Sequence, residues 1–253
     1  MRRFKEFVKQ AIRWSGYELT LRTPATDSFM QLLQVIRSQS IDMVIDVGAN
    51  KGQFASKLRS CGFQGKIISF EPLPDAYSEL AALSSTDPDW HIHDRCAVGA
   101  VPGTATLNVS GNSVSSSLLP MTEAHTSAAR TSRYVDTLEV PVIRLDDVAS
   151  KHGFQDRRCL LKIDTQGFEW EVLDGAKATL NLCQAVICEL SLVQLYEGQR
   201  LWLEVIERFE DSDFVLWTLQ KGFVDKATGR SLQMDGIFVR ESSARPATSL
   251  DHD

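Results

Sequence analysis

The sequence predicts an α/β fold of the Rossmann-like kind, with a mostly parallel sheet, helices on both faces and a terminal antiparallel hairpin. Three observations predict it. Short apolar runs alternate with helical segments in both halves of the chain. Acids or glycine turns follow several of these runs. The connection between the last two strand-like runs is too short for a crossover helix, so they should pair antiparallel.

The first half of the chain has the regular alternation from which this prediction starts. Each apolar run is short enough for a buried strand, and each following segment has helical spacing. The predicted elements are a strand at 41–46, a helix at 53–61, a strand at 66–70, a helix at 75–83 and a strand that begins at 90–93. Right-handed crossovers should place these strands side by side in one parallel sheet.

The middle of the chain interrupts the alternation. Residues 104–109 and 138–142 are predicted as extra strands. Between them, the segment 110–134 is rich in Ser, Thr, Ala and Gly and has no strong period. A loop of this length inside a compact domain usually has a function, so we expect a substrate loop or lid near 110–135.

The alternation resumes in the second half. The predicted elements are strands at 159–163 and 185–188, helices at 168–180 and 202–209, and closing strands at 214–219 and 236–239. A parallel sheet that ends in such a hairpin is the arrangement of the class I methyltransferase fold. It differs from the all-parallel sheet of the dinucleotide-binding oxidoreductases.

Length and composition predict one large domain with ends of different character. The chain has 253 residues, 43% of them hydrophobic. We predict an N-terminal helical cap at 1–40, the main domain at 41–240 and a disordered tail at 241–253. Residues 1–16 contain five basic residues and one acid, a net charge of +4, with apolar residues near helical spacing. This segment is predicted either to lie on an anionic membrane or to pack on the domain or over its active site.

Bulk properties narrow the class of protein. The formal net charge of −6 disfavours a general nucleic-acid binder. Five cysteines, without a C-x-x-C pair, suit a reduced cytosolic protein better than a disulfide framework. No apolar run approaches the ~20 residues that cross a bilayer. The expectation is a cytoplasmic protein, with membrane association only through the N-terminal helix.

The turn after the first strand is the first candidate binding site. It reads Asp46-Val47-Gly48-Ala49-Asn50-Lys51-Gly52, and ligands of open α/β sheets bind at the carboxyl ends of strands. Gly48 permits a tight turn, Asn50 tolerates a positive φ, and Gly52 lets the next helix start close to the strand. Backbone N–H groups at that helix start can hold a ligand carboxylate, while Asp46 attracts a ligand ammonium group.

Residues after the second and third strands indicate a nucleoside ligand. Glu71 lies about 20 residues beyond the glycine turn, the spacing expected for an acid that binds ribose hydroxyls. Pro72 fixes the chain direction after it. Asp94, with Cys96 and Ala97, is predicted to border an adenine. No Lys-Ser/Thr pair follows the glycines, which excludes a P-loop, and the missing middle glycine of G-x-G-x-x-G disfavours NAD.

Seven motifs together resemble the FkbM family of S-adenosylmethionine-dependent methyltransferases. They are IDVGANKGQF (45–54), ISFEPLPDAY (68–77), CAVG (96–99), SSSL (115–118), LKIDTQGFEWEVLDGA (161–176), ELSLVQLYEGQ (189–199) and DGIFVR (235–240). The match runs from about Met43 to Arg240 and omits the first forty residues and 122–134. In the family, the last motif often begins with two acids, whereas here Asp235 is followed by glycine.

The resemblance implies a class I fold and O-methylation of hydroxyls, commonly on sugars of glycolipids, oligosaccharides or polyketide glycosides. It also implies that S-adenosylmethionine is the cofactor. The cofactor contacts that it carries over fall on Asp46, Gly48, Asn50, Gly52 and Glu71.

An alcohol is a poor nucleophile near neutral pH, so a base or a metal ion should help to remove its proton. Asp164, Glu169 and Glu189 lie at or just after strand ends and are predicted to share a pocket. Either Asp164 is a general base, or Asp164 with Glu169 or Glu189 holds a divalent metal such as Mg²⁺ that acidifies the hydroxyl. Glu169 and Glu189 also have structural interpretations, as a helix N-terminal acid and as a backbone acceptor. His125, in the central loop, is a further candidate base.

Two other functions stay open at this level. One is a nicotinamide-dependent oxidoreductase, and the other is a non-catalytic cofactor-binding protein. The hydroxylated segment 110–134 suits a polar, sugar-like small molecule. The basic N-terminal helix favours an amphiphile such as a glycolipid.

Overall fold

The computed structural model describes residues 2–241, with side chains from residue 6 onward. Apart from Glu241, the predicted C-terminal tail lies outside the described residues. Ten strands form two sheets in this part of the chain. They are β1 Met43–Val47, β2 Lys66–Phe70, β3 Trp90–Ile92, β4 Ala97–Val98, β5 Gly103–Ser110, β6 Tyr134–Ile143, β7 Cys159–Ile163, β8 Cys183–Ser191, β9 Phe214–Lys221 and β10 Gln233–Arg240.

Nine α-helices accompany these strands within residues 2–241. They are α1 Arg2–Trp14, α2 Ser28–Ser38, α3 Gln53–Ser60, α4 Pro74–Ser84, α5 Glu123–Ala128, α6 Leu145–His152, α7 Glu169–Asp174, α8 Lys177–Leu182 and α9 Trp202–Glu210.

The main sheet has seven strands in the order β3-β2-β1-β7-β8-β10-β9. Neighbours from β3 to β8 pair in parallel. Strand β10 pairs antiparallel with both β8 and β9. The predicted parallel sheet with an antiparallel C-terminal hairpin is therefore confirmed. The strand order reverses direction between β1 and β7, which creates the crevice where such sheets bind ligands.

Helices cover both faces of this sheet, as predicted. On one face, α2, α3 and α4 bury side chains such as Leu32, Leu58 and Leu80 against β1 and β2. On the other face, α6 to α9 bury residues such as Leu145 and Phe209. All five residues of β1 and of β7 are buried. Strands covered on both faces read as continuous apolar runs, which is why the sequence revealed them.

A second sheet of three strands, in the order β4-β6-β5, lies beside the main one. Strands β5 and β6 pair antiparallel over most of their length, and β4 adds two parallel residues. The sequence predicted β5 and β6 but did not identify β4 as a strand. This sheet packs its own cluster, including Leu107 and Val140, against Leu73 at the start of α4.

Three helical predictions needed correction. The helix predicted at 168–180 is two helices, α7 and α8, because the chain turns at Gly175. A Cβ there would lie 2.0 Å from the carbonyl oxygen of Gly99, so the two backbones approach closely. Helix α6 was missed, although Gly153 ends it in the left-handed conformation. Helix α5 was also missed, since it has only six residues.

The two N-terminal helices differ in how they pack. Asp27 caps α2 by accepting a hydrogen bond from the Met30 N–H, and four residues of this helix are buried. In contrast, the described side chains of α1 are exposed or half-buried. No helix among residues 2–241 is long and apolar enough to cross a membrane.

Candidate active site

A cavity of about 490 Å³ opens at the carboxyl ends of β1, β2, β7 and β8. Its volume is in the range of small-molecule sites. Its wall also includes the segment Asn112–Leu118, which follows β5, and residues of β10. The cavity therefore lies at the switch point of the sheet and under the second sheet.

The turn after β1 forms one end of the cavity and has no room for a side chain at Gly48. This residue has φ +76°, and a Cβ would lie 1.9 Å from the carbonyl oxygen of Asp164. Asn50 also adopts a positive φ of 46°, as the sequence led us to expect. Its backbone N–H donates to Glu71 Oε2 at 2.7 Å.

The N–H groups of this turn are already used within the chain. Those of Gly48 and Ala49 donate to the Phe70 carbonyl, and that of Gly52 donates to the Ala49 carbonyl. The Lys51 N–H donates to the side chain of Asn50. A ligand carboxylate must therefore be held further on, at the start of α3, where residues 53 and 54 line the cavity.

Gly52 does not line the cavity. It has φ +81°, and a Cβ would lie 2.8 Å from a Leu80 methyl carbon and 2.9 Å from the Trp90 ring. Its part in the site is indirect, because it lets α3 start against these two side chains.

Glu71 is buried at the carboxyl end of β2 and faces the cavity. Besides the Asn50 contact, its Oε1 accepts a hydrogen bond from the Leu73 N–H at 2.9 Å. Burial raises the pKa of Glu71 to about 7, although these two N–H donors act in the opposite direction. A carboxylate held in this way has one orientation and still offers lone pairs to a ligand.

The residues predicted around an adenine divide into two groups. Cys96 and Ala97 are buried and line the cavity, as does Pro72. The Asp94 side chain is 92% exposed, lies 4.0 Å from Lys151 Nζ and does not line the cavity. The chain turns outward after β3 ends at Ile92, so this carboxylate points to solvent and does not reach the predicted adenine site.

Asp46 is completely buried behind the turn and does not line the cavity. Its Oδ1 lies 3.1 Å from Lys162 Nζ, although neither carboxylate oxygen has a hydrogen bond of good geometry. Burial raises the pKa of Asp46, and Lys162 opposes that shift. Burial alone would lower the pKa of Lys162, but Asp46 and Asp164 outweigh it and raise the pKa. Asp46 is thus paired with the ammonium group of Lys162. It does not reach the cavity, where the ammonium group of a ligand would lie.

Three acids meet at the other end of the cavity: Asp164 after β7, Glu189 on β8 and Asp235 on β10. Gln166 connects the first two, since its Nε2 lies 2.9 Å from Asp164 Oδ1 and 3.1 Å from Glu189 Oε2. The hydroxyl of Tyr196 donates to Gln166 Oε1 at 2.9 Å, which fixes the direction of the amide.

Burial is the main cause of the raised pKa values of Glu189 and Asp235. It raises the pKa of Glu189 well above its ordinary value, and the neighbouring carboxylates of Asp164 and Glu169 add to the shift. It also raises the pKa of Asp235 to about 6, with a further contribution from Asp164. Carboxyl groups that share a site cannot all ionise easily.

Glu169 was a candidate catalytic acid, but it is not on the cavity wall. Its Oε1 accepts hydrogen bonds from the Thr165 N–H at 3.0 Å and the Gly167 N–H at 3.1 Å. It therefore closes the turn that carries Asp164, a structural role different from the helix N-terminal acid that the sequence suggested. Burial raises the pKa of Glu169 to about 7.

His125 lines the cavity from α5 and is 3% exposed. Its ring packs edge-on against Tyr196 and lies 5.3 Å from the Phe223 ring. Its Nδ1 has no hydrogen-bond partner among the described residues. Burial lowers the pKa of His125 to about 4, so this imidazole is neutral at pH 7.

The segment 112–118 is more ordered than its lack of periodicity suggested. Asn112 Nδ2 donates to Ser115 Oγ at 3.1 Å, and the Ser110 N–H donates to Ser116 Oγ at 2.9 Å. Ser117 Oγ donates to the Gln166 carbonyl at 2.7 Å, which connects this segment to the turn after β7. Local side-chain-to-backbone bonds of this kind have no periodic signature.

Two residues at this end of the cavity were not predicted as site residues from the sequence. Asp235 was noted only as a family position, and Gln166 only as part of a motif. The sequence signal was Gly167, which marks a turn after β7, and in the structure both Gln166 and Gly167 have a positive φ. Positive φ at a non-glycine residue often marks a functional turn.

A metal site receives no support from the arrangement of these acids. Over the described part of the chain, no three His, Cys, Asp or Glu side chains are placed to hold a metal ion together.

The sheet order, the antiparallel β10 and the cavity at the β1–β7 switch point define a class I methyltransferase. The chain belongs to the FkbM methyltransferase domain family, whose pattern matches residues 46–216. The resemblance predicted from the motifs is confirmed.

Two relatives have names that state an activity. The chain is 25% identical over 182 residues to the hexuronic acid methyltransferase AglP of Haloferax volcanii, covering 69% of this chain and 70% of the relative. It is 27% identical over 184 residues to the 2-O-methyltransferase NoeI of Sinorhizobium fredii, covering 66% and 72%. Among solved structures, precorrin-6y C5,15-methyltransferase of Geobacter metallireducens overlays with a TM-score of 0.43 and 10% identity, covering 87% of this chain and 92% of that one. At that TM-score the overlay adds nothing to the fold assignment.

The predicted enzyme class is confirmed by the family and by these two relatives. The chain is an S-adenosylmethionine-dependent O-methyltransferase. The oxidoreductase and scaffold alternatives are not favoured. The cavity also fits the cofactor, because the turn at residues 48–50 lines it and a buried carboxylate, Glu71, faces the same space.

Proposed function

We propose that this enzyme methylates a hydroxyl group of a sugar and that Asp164 accepts the hydroxyl proton. The observation that carries the proposal is the position of Asp164 on the cavity wall, next to the turn after β1. Its backbone N–H donates to the Val47 carbonyl at 3.1 Å, so the turn after β7 is joined to the turn after β1. Its carboxylate faces the cavity and is 42% exposed.

In this proposal, the β1 end of the cavity holds the cofactor. Glu71 binds the ribose hydroxyls, and the start of α3 receives the methionine carboxylate. Cys96 and Ala97 form part of the wall against the adenine. Gly48 contributes by letting the turn after β1 approach the backbone of Asp164 closely. S-adenosylmethionine, when bound, supplies an activated methyl group on a sulfonium centre.

Proton removal is the step for which the protein must supply a group. As the new oxygen–carbon bond forms and the sulfur–carbon bond breaks, the hydroxyl proton passes to the Asp164 carboxylate. Lys162 Nζ lies 3.5 Å from Asp164 Oδ2 and forms an ion pair with it. Gln166 donates to the other oxygen and fixes the carboxylate in the cavity. Burial raises the pKa of Glu189 well above its ordinary value and so favours its protonated form. Because a carboxyl group that already holds a proton cannot accept another, Glu189 is the less suitable base.

The sugar acceptor is supported by two independent features. Serine and asparagine side chains of segment 112–118 line the cavity beside Asp164, and such groups bind hydroxylated ligands. The names of the Haloferax and Sinorhizobium relatives describe methylation of a hexuronic acid and 2-O-methylation.

The test of the base is Asp164→Asn, assayed for methyl transfer to a panel of glycosides. Loss of a general base should lower kcat by about 10²–10⁴-fold. Affinity for S-adenosylhomocysteine, measured by calorimetry, should be unchanged. Asp211→Asn, at an exposed carboxylate after α9, is the matched control. Full activity of Asp164→Asn would show that another group takes the proton.

The Mg²⁺ hypothesis is decided by the same assay. Activity that persists in EDTA and is unaffected by added Mg²⁺ would leave Asp164 as a base. Activity that requires Mg²⁺ would instead favour Asp164 and Glu189 as metal ligands.

We also propose that helix α1 places the enzyme on an anionic membrane, where a glycolipid acceptor would be presented. The hydrophobic clusters formed by the described side chains begin only at Phe29, so α1 is not part of a core. Phe7 is 70% exposed and Trp14 is 87% exposed. Exposed apolar side chains on a segment of net charge +4 are typical of interfacial helices.

Vesicle sedimentation tests this second proposal. Phosphatidylglycerol-containing vesicles should retain the protein, phosphatidylcholine vesicles should not, and salt should weaken the retention. Phe7→Ser with Trp14→Ser should release it, whereas Trp217→Ser on β9, an aromatic residue that is 53% exposed, should not. Equal behaviour of both vesicle types would disprove membrane docking and leave the methylation proposal untouched.

A further inference from the structure

The acceptor end of the cavity is unusually acidic for a site that receives a carbohydrate. Asp164, Glu189 and Asp235 line it, and Lys162 is the basic side chain on the described cavity wall. We infer that the acceptor is a neutral sugar or an amino sugar and not a uronic acid. This inference rests on the proposed sugar methylation and specifies the class of sugar.

Lys162 is not available to an acceptor carboxylate. Its Nζ lies 3.1 Å from Asp46 Oδ1 and 3.5 Å from Asp164 Oδ2, and it donates to the Gly48 carbonyl at 3.3 Å. The ammonium group is thereby surrounded by two carboxylates and one carbonyl oxygen of the chain itself. Moving this charge towards a ligand would leave Asp46 buried without a partner, which is strongly unfavourable.

His125 cannot supply the missing positive charge either. It is 3% exposed and packed between Tyr196 and Phe223, an environment that keeps the imidazole neutral. Its unpartnered Nδ1 at the cavity wall is suited to a hydroxyl, because a neutral imidazole nitrogen pairs with a neutral donor or acceptor.

Asp235 differs from the other two acids in its hydrogen bonding. It lies opposite Glu189 in the register of β10 and β8, so the two carboxyl groups stand side by side on the cavity wall. Among the described residues, no side chain or backbone group hydrogen-bonds with the Asp235 carboxylate, whereas Gln166 engages Asp164 and Glu189. Its oxygens are available to sugar hydroxyls or to an ammonium group.

A uronic acid in this position would place a fourth carboxyl group next to these three. Like charges within ~4–6 Å oppose each other's ionisation, and a buried carboxylate needs a partner. A neutral hydroxymethyl group avoids both costs, and an amino group gains an ion pair with Asp235. Discrimination of this kind works through repulsion of the wrong ligand.

The test compares p-nitrophenyl glucoside, glucosaminide, glucuronide and glucuronide methyl ester. Methyl transfer is followed by S-adenosylhomocysteine release, and sugar binding is measured by saturation-transfer NMR with S-adenosylhomocysteine present. The glucoside, the glucosaminide and the ester should each exceed the glucuronide at least tenfold in kcat/KM and in binding. The ester and the glucuronide differ only in charge, so their comparison isolates the electrostatic effect.

A charge-reversing variant tests the assignment to Asp235. Asp235→Arg should raise binding of the glucuronide relative to the ester at least tenfold, Asp235→Asn should raise it less, and Asp211→Arg should not change it. Thermal unfolding checks that each variant is folded, and Asp235→Asn alone suffices if the arginine variant is not.

The possible outcomes separate this inference from the function on which it rests. Preferred binding or methylation of the glucuronide by the wild-type enzyme would overturn the inference and leave sugar methylation standing. Selective binding without methyl transfer would support the inference and count against these sugars as substrates. Neither binding nor transfer with any of the four would overturn both.

Discussion

The two ends of the cavity are built in different ways. The cofactor end consists of one turn, Gly48 to Gly52, and one acid, Glu71, held by hydrogen bonds to main-chain N–H groups. The acceptor end consists of side chains from β7, β8, β10 and the segment 112–118, held mainly by Gln166, Tyr196 and Ser117. Backbone geometry fixes the first, and side-chain contacts between distant segments fix the second.

This difference explains how one fold can keep the same methyl donor while the methyl acceptor changes. A turn whose N–H groups are all engaged tolerates little change in backbone or in the acid that it holds. An acid group bridged by one amide can be altered one side chain at a time. Lys162 stands between the two ends, since it contacts Asp46 behind the cofactor turn and Asp164 at the acceptor end.

The largest effect is expected when this common element is removed. Lys162→Met leaves Asp46 completely buried without its ion-pair partner, and such a change should cost about 3–5 kcal/mol of unfolding free energy. Urea denaturation measures it. Asp46→Asn in the same chain should restore much of the loss, and an additive double variant would show that the two charges do not interact.

The rigidity of the cofactor turn is tested by Gly48→Ala. The new methyl group would meet the Asp164 carbonyl, at a φ that L-residues rarely adopt, so a loss of about 3 kcal/mol is expected. Gly62→Ala is the matched control. It has φ +88° but no atom within 4 Å of the Cβ position, so only about 1 kcal/mol should be lost. Equal losses at both positions would mean that the two turns are not in firm contact.

The buried Glu71 should make stability depend on pH. Its folded pKa of about 7 lies above the ordinary 4.5, so the folded state holds this proton more tightly. The contribution is complete below about pH 4.5 and disappears as the pH rises through 7. We expect the unfolding free energy without cofactor to fall by about 1–3 kcal/mol between pH 5 and pH 8. Glu71→Gln should reduce this slope, and denaturation at the two pH values measures it. Identical slopes would argue that Glu71 is not protonated on folding.

The smallest effect is expected from the amide that organises the acceptor end. Gln166→Leu removes the bridge between Asp164 and Glu189, and kcat should fall about tenfold, equivalent to ~1.4 kcal/mol. Gln155→Leu, near the protein surface, is the control. A purely structural role would lower stability and leave kcat unchanged.

The parts of the fold that were predicted correctly are those with local signatures. Strands β1, β2 and β7 were identified within two residues, because strands buried on both faces are continuous apolar runs. The single predicted helix at 168–180 failed at Gly175, where the close contact with Gly99 comes from a segment seventy-six residues earlier. Helix α5 is too short for periodicity to reveal it.

The candidate site divides in the same way. The Asp46–Gly52 turn and Glu71 were found from spacing along the chain, because a strand end and the turn that follows it are contiguous. The position of Asp94 outside the cavity, and of Glu169 beneath the Asp164 turn, depends on how the chain bends after a strand. Asp235 enters the site only because β10 inserts between β8 and β9.

The sequence alone therefore determined the family and the methyl donor, and it predicted the turn proposed to bind that donor, because these depend on short motifs at strand ends. Only the tertiary structure decided which acids share a cavity and which of them have no partner. It also decided that Lys162 forms an ion pair with Asp46. The physical reason is that charge at the acceptor end is a sum over side chains from three separate segments, and this sum is defined only once the sheet has brought them together.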